Sequence, residues 1–520
     1  MKIWNKYLLL SLLVVAFTAC TDLEEEVFSE LTEANFPTTE DQFIAALGAT
    51  YTSLYPIGQH NSYYSLNGVS SDELAIPHRG ADWFDGGQWL RVHRHEFGPG
   101  EESVLNGWVN LYGGISNCNR VIELFEDLVA RGRVAEDVAA GFTAEVKVLR
   151  AYFYYWLLDL YGNVPIIESF SDAPQNPSNN SRQEVFDFVK SELDANVPLL
   201  TQAKDGSTYA RFNYWAGKAL QTRLYLNAEV YTGTAMYGDA LQAAEEIINS
   251  NLYSLESDYF ANFATENAGS NENILVVPYD EAQATGFNIA QMTLHYSSQN
   301  TFGLVDQPWN GYCSLADFYN SYDDADLRKG VYGDNSVRGN FHAGPQYAAD
   351  GSVLTDPSAE PADPDGSGII FTPDLNELEP NCLRQAGARV GKYEYGGGTG
   401  RPDLNNDFVL FRYAGVLLDA AEAAHRTGDD TKALGYVNQV RSRAGMPDFT
   451  AADFNPDALL AERGREMFFE GTRRPDLIRF GKWGAAWNFK DSHADDFREI
   501  FPIPAEQINA NPNLTQNPGY

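Results

Sequence analysis

The chain has 520 residues, with 36 Lys+Arg against 72 Asp+Glu and a net charge of −36. That balance argues against nucleic acid or anionic lipid faces as partners and favours solubility. The length allows one large or two ordinary domains. Aromatic content is 13 %, with 9 Trp and 29 Tyr, which is ample for a core and leaves rings for a binding face.

Lys2 and Lys6 flank an apolar run from Tyr7 to Phe17. The run is about half the length needed to span a bilayer. Residues 1–19 therefore read as a signal peptide rather than a transmembrane helix. The run ends at Phe17-Thr18-Ala19-Cys20, which resembles a bacterial lipobox. The resemblance implies that Cys20 is lipidated and becomes the mature N-terminus. Phe17 departs from the aliphatic residue usual there, and it also fits an A-x-A cleavage site badly. The alternative is a secreted protein with a spare Cys. Asp22, Glu24, Glu25 and Glu26 follow, and residues 20–40 read as an acidic tether. An acidic patch beside a lipidated Cys resembles the surface-export signal of Bacteroidetes lipoproteins; a plain solvated tether has the same composition.

Helical periodicity then recurs four times. Phe43–Leu54 pairs with a long helix carrying Val104, Trp108, Leu111, Ile115, Cys118, Ile122 and Phe125 at alternating four- and three-residue steps. Ala144 to Leu160 pairs with Val185 to Leu193 across a Pro/Asn/Ser-rich loop. Tyr214 to Ala228 pairs with a helix bearing Ala240, Ala243, Ala244, Ile247 and Ile248. The fourth pair, Arg412 to Gly445, sets the pattern. Tyr413, Val416, Leu417, Ala420, Ala421 and Ala424 share one helical face. Thr427-Gly428-Asp429-Asp430 breaks it, and Leu434, Val437 and Val440 carry the partner stripe. A unit of about 34 residues with small Ala side chains at the contact is what a tetratricopeptide-type repeat looks like. The pattern predicts an all-α fold. Tetratricopeptide-like helical pairs at about 41–129, 143–200, 211–251 and 408–445 stack into a right-handed scaffold.

Two long irregular insertions interrupt the pairs, at about 56–103 and 254–406. The first holds Asp72-Glu73-Leu74-Ala75-Ile76-Pro77-His78-Arg79-Gly80-Ala81-Asp82-Trp83, then Gly86-Gly87-Gln88-Trp89. Polar donors, acceptors and flat rings alternate on a Gly-rich loop. The second holds Pro308-Trp309-Asn310-Gly311-Tyr312-Cys313 and a Pro/Gly/Asp-rich segment. Irregular stretches on a regular scaffold are where binding residues concentrate. Cys313 and Cys382 both lie in the second insertion. Export permits a disulfide between them, and sequence does not establish the pairing. Cys118 sits on an apolar stripe and reads as a buried small hydrophobe. His93-x-His95-Glu96 has metal-like spacing without a nameable third ligand, so polar groups on a strand are the commoner explanation. Asp363, Asp365, Ser367, Gly368 and Asp374 occupy positions of an EF-hand-like loop, but Pro361, Pro364 and Pro373 oppose its flanking helices. A solvated Asp/Gly loop is favoured there, and metal binding is left open.

The tail carries the most specific signal. Residues 462–470 read ERGREMFFE, 473–483 read RRPDLIRFGKW, and the chain closes with FPIP and then NPNLTQNPGY. With GFTAEVKVLRAYFYYWLLDLYGNVP at 141–165, RFNYWAGKALQTRLYLNAEVY at 211–231 and RYAGVLLDAAEAAHRTGD at 412–429, the chain resembles the SusD/RagB family of Bacteroidetes outer-membrane nutrient-binding lipoproteins. Pro475 departs from the family pattern and puts a local turn in doubt. The resemblance implies one SusD-like domain over 41–520, with the ligand face on the two insertions. It implies capture of an oligo- or polysaccharide without catalysis and without a cofactor. The implied partner is a SusC-like TonB-dependent transporter, over which the protein sits as a lid. The implied location is the outer membrane, lipid-anchored and facing outward.

A sugar ring offers a C–H face to Trp or Tyr and hydroxyls to carboxylate, amide or guanidinium. On that chemistry Trp83 and Trp309 are the expected stacking platforms, with Trp89 and Tyr312 beside them and Asp72 and Arg79 as hydroxyl partners. The alternatives are a glycoside hydrolase or a protein-only repeat scaffold at the outer membrane. A hydrolase needs two carboxylates at a defined separation, and 72 acids make any nominated pair unspecific. No G-x-S-x-G, H-E-x-x-H or P-loop stands out.

Overall fold

The computed structural model describes residues 40–520, except 335–337, 359–367 and 397–401. The signal peptide, Cys20, the acidic tether and Asp363, Asp365 and Ser367 lie outside the described residues. Residues to Ala46 form one unit, of which the start of helix α1 (Glu40–Tyr51) is described; Leu47–Tyr520 form the other.

The longer helices of the second unit are α2 (Tyr63–Val69), α3 (Gln88–Arg94), α4 (Glu102–Ala130), α5 (Glu136–Leu160), α6 (Arg182–Asn196), α7 (Tyr214–Leu226), α8 (Tyr237–Ser250), α9 (Tyr413–Arg426), α10 (Asp430–Arg443), α11 (Pro456–Met467) and α12 (Arg473–Arg479). α4 packs on α5, α5 on α6, α7 on α8 and α9 on α10, and α8 packs on α9 across the long second insertion. The predicted stripe of α4, from Val104 to Phe125, is buried throughout. Gly114 lets α5 approach, because a Cβ there would lie 2.6 Å from the Phe153 ring. Ser181 and Glu184 form a capping box that starts α6. Ala240, Ala243 and Ala244 bring α8 close to both α7 and α9. Gly428, with φ of 88°, turns the chain after α9. The Asp429 carboxylate then accepts from Lys432 N at 3.0 Å and caps α10.

One expectation changes at α9. The sequence shows one apolar face, yet every residue from Tyr413 to Ala424 is buried. The opposite face meets ions rather than water. Asp419 pairs with Arg463 at 2.8 Å, and Glu422 with Arg479 at 2.6 Å. Arg479 and Arg463 also share Asp476. A second group joins Arg412 to Glu272, Glu466 and Glu470, and Arg328 to Asp326, Glu462 and Glu466. The ERGREMFFE and RRPDLIR segments therefore build a buried ionic layer. Pro475 stands in the first turn of α12, where its missing N–H costs no intrahelical bond, so no turn is disrupted. The closing segment is fastened to the end of α5: Asn517 Nδ2 donates to Tyr161 O at 2.7 Å and to Phe501 O at 2.8 Å.

The second unit is helical with a few short strands: β1 (Leu74–Ala75), β2 (Asn273–Val277), β3 (Cys313–Ser314), β4 (Phe341–His342), β5 (Gly344–Pro345), β6 (Ile370–Phe371), β7 (Arg389–Val390) and β8 (Phe408–Arg412). They pair antiparallel as β1–β3, β2–β8, β4–β7 and β5–β6. The β1–β3 pair fastens the first insertion to the second. The first insertion also holds α2 and α3, so it is less irregular than its composition suggests. Among the described residues no helix is long and apolar enough to cross a membrane.

Candidate functional site

The two insertions meet at a group of rings. Arg79 and Asp82 exchange backbone hydrogen bonds at 3.0 Å, closing a tight turn. Trp83 leaves that turn at φ of 65°. Its Nε1 donates to the carbonyl of Trp309 at 2.6 Å. Both indoles are half-buried, and both meet the His60 ring edge-on, with centroids at 5.5 Å and 5.7 Å. Gly311 makes room, since a Cβ there would lie 3.1 Å from Trp83 and 2.7 Å from Met292. Asn310, at φ of 54°, holds the Trp309 turn by donating to Arg384 O at 2.9 Å and accepting from Arg389 at 2.9 Å.

Polar groups border the rings. Tyr296 donates its hydroxyl to the exposed Asp82 carboxylate. The Arg384 guanidinium lies 4.8 Å from the Tyr296 ring centroid and 3.1 Å from Asp356. Asn61 Oδ1 is buried without a hydrogen-bond partner among the described residues, and the Asn288 side chain faces the His60 ring. Burial lowers the His60 pKa, partly offset by the Asn288 amide, so the ring is neutral at pH 7. The arrangement offers flat faces, acceptors and one guanidinium.

The other expected site residues lie elsewhere. Trp89 is 2 % exposed on α3, and its Nε1 donates to Asp85 at 2.7 Å. Tyr312 is fully buried, its hydroxyl 3.3 Å from His60 O, so it supports the backbone under the rings. Arg79 is 1 % exposed; it donates to Ala386 O at 2.7 Å and to Leu383 O. Asp72 is committed to Arg473 through two bonds of 2.7 and 2.8 Å. In each case the interior or an ion pair claims the group that sequence offered to a ligand. His60, Asp82, Tyr296 and Arg384 border the rings instead. Only Asp82 had a sequence signal, its place beside Trp83.

Cys313 and Cys382 are both thiols rather than a disulfide. Arg79 lies between them, with Nη2 at 3.6 Å from one sulfur and Nη1 at 3.5 Å from the other. Arg389 stands beside Arg79, and burial followed by that neighbouring charge lowers its pKa to about 9. His93 lies on helix α3 and His95 caps it, so the expected strand is absent there. Their Nε2 atoms face Asn488 O and Ser70 O, each at 2.9 Å. Burial lowers their pKa values to about 4 and about 2. Among the described residues no three His, Cys, Asp or Glu side chains are grouped to hold a metal.

A helical repeat carrying a ring-lined junction of two insertions defines the class. A family model described as "SusD family" matches residues 386–520, and one described as "Starch-binding associating with outer membrane" matches residues 25–226. The chain is 28 % identical over 421 residues to "Starch-binding protein SusD" of Bacteroides thetaiotaomicron, covering 72 % of each chain. It is 23 % identical to "SusD-like protein" of Bacteroides ovatus over 92 % of this chain and 83 % of that one. Among solved structures, "Surface glycan-binding protein A from Bacteroides thetaiotaomicron" shares the fold at a TM-score of 0.73 and 22 % identity, covering 93 % of this chain and 99 % of that one. The protein of the same name in complex with laminarihexaose gives 0.71 at 22 % identity, covering 92 % and 99 %. The chain belongs to the SusD family.

Proposed function

We propose that the protein is a cell-surface glycan-binding lipoprotein that captures an oligo- or polysaccharide on Trp83 and Trp309 and delivers it, uncleaved, to a SusC-like TonB-dependent transporter. The observation that carries the reading is the convergence of the two indoles on His60 from insertions far apart in sequence. Two half-buried rings leave faces for sugar C–H groups. Asp82, Tyr296 and Arg384 supply hydroxyl partners at the border. The names of the relatives, one starch-binding and one complexed with laminarihexaose, point to the same ligand class. Catalysis is not part of the reading: the names of those relatives describe binding alone.

Calorimetry with maltoheptaose and laminarihexaose tests it, paired with a reducing-end assay. The expected result is binding at about micromolar affinity or weaker with the glycan intact. Reducing ends that survive repurification and vanish in one Asp or Glu variant would establish an enzyme instead. Anchoring rests on Cys20, and Cys20→Ala is expected to leave the protein without fatty acid and out of the outer-membrane fraction.

A further inference from the structure

A second cavity, of about 440 Å³, opens where the turn before α7 meets the start of β2 and the residue before β8. It shares no residue with the ring junction. Its size lies in the ~300–1,000 Å³ range of small-ligand clefts. Tyr209 forms one wall and is 41 % exposed; Tyr253, Ile274 and Val276 form buried apolar walls.

The polar groups are specific. Asp407 is 5 % exposed and lines the cavity. One carboxylate oxygen accepts from the Tyr209 hydroxyl at 2.6 Å; the other accepts no hydrogen bond from any described residue. Among the described residues no cation pairs with it. Asn273 Oδ1 is buried without a hydrogen-bond partner among the described residues and belongs to the same lining. Buried acceptors left unmet cost free energy that a donor-bearing ligand recovers.

Charge narrows the ligand. Lys204 Nζ lies 4.2 Å from the Tyr253 ring centroid and donates to Leu252 O at 2.8 Å, so a cationic guest meets a like charge. Asp407 and the nearby Glu266 oppose an anion. Burial, reinforced by Glu266 and opposed by the Tyr209 bond, raises the Asp407 pKa to about 6, the mark of a carboxylate without a counter-ion. A neutral, hydroxyl-rich ring is what remains. It can lay its C–H face on Tyr209 and donate hydroxyls to Asp407 and Asn273.

We propose that this cavity, built on Tyr209, Asp407 and Asn273, is a second, weaker carbohydrate subsite that takes the end of a neutral oligosaccharide. The proposal rests on the glycan-binding reading above.

Maltoheptaose and laminarihexaose are titrated into wild type, into Trp83→Ala/Trp309→Ala, and into that double variant carrying either Tyr209→Ala or Asp407→Asn. The expected result is tight binding in wild type and one weak event in the double variant, at about 1 mM or weaker. That event should disappear with either added substitution. Tyr209→Ala alone should leave the tight event unchanged. Asp407→Asn keeps the size of the buried group and guards against a folding defect. No residual event in the double variant, with wild type binding normally, overturns the second subsite and leaves the primary reading standing. A residual event that ignores both added substitutions overturns it too. A wild type that binds neither sugar overturns both readings.

Discussion

At the scale of single residues, exposure separates rings that hold the fold from rings that can meet a ligand. Trp89 is 2 % exposed and bonded to Asp85. Trp89→Ala should therefore destabilise the protein by about 3–5 kcal/mol, read as a lower urea midpoint, and a midpoint that does not move would place the ring outside the core. Sequence could not make this distinction. Trp83 and Trp89 share one Gly-rich stretch, and their fates are set by Trp309 and by helix α3, which the local pattern does not announce. His60 and Tyr296 were illegible for the same reason: His60 meets Trp309, and Tyr296 meets Asp82, each across more than 200 residues. Glu73 offers a second test. Burial, only partly offset by Arg473, raises its pKa to about 8. The folded group keeps its proton while the unfolded one ionises, so stability falls as pH rises from about 4.5 to 8. Glu73→Gln removes that loss. Its stability advantage should grow by at most ~1.4 kcal/mol per pH unit across that window and then level off; an advantage independent of pH would contradict the assignment.

At the scale of elements, the apolar half of the design was legible and the ionic half was not. The stripes of α4 and α9 and the Gly428-Asp429 turn follow from period and capping, and the structure places them as read. The Arg and Glu residues of α11 and α12 look like solvated faces in sequence, since such side chains are rarely buried unless paired. Here they are paired. Burial would raise Glu462 and Asp476, but arginines outweigh it and hold each near pKa 2: Arg328 for the first, Arg463 and Arg479 for the second. Folded values below the unfolded ones contribute stability above about pH 4 that is lost as pH falls through about 2. Acid unfolding should therefore complete between roughly pH 4 and pH 2, followed by circular dichroism; a native signal retained at pH 2 would deny the layer its role. Arg412→Met leaves Glu272, Glu466 and Glu470 short of a partner. Its expected cost is about 3–5 kcal/mol in urea unfolding, and a cost near zero would mean the carboxylates had found other partners.

At the scale of the whole molecule, the scaffold presents two distant insertions together, and charge constrains what they hold. A net charge of −36 repels anionic polymers, and Arg384 at the ring junction already faces Asp356. Neutral glycans fit this balance best. The central claim is that Trp83 and Trp309 capture the glycan rather than fill the core. The most direct measurement is the affinity of Trp83→Ala/Trp309→Ala for maltoheptaose and laminarihexaose beside its thermal midpoint. Each lost stacking contact is worth about 0.5–1.5 kcal/mol beyond the apolar area it buries, so the account predicts at least a tenfold weaker Kd with the midpoint unmoved. Unchanged affinity, or a loss of affinity that tracks a collapse of the midpoint, would contradict it.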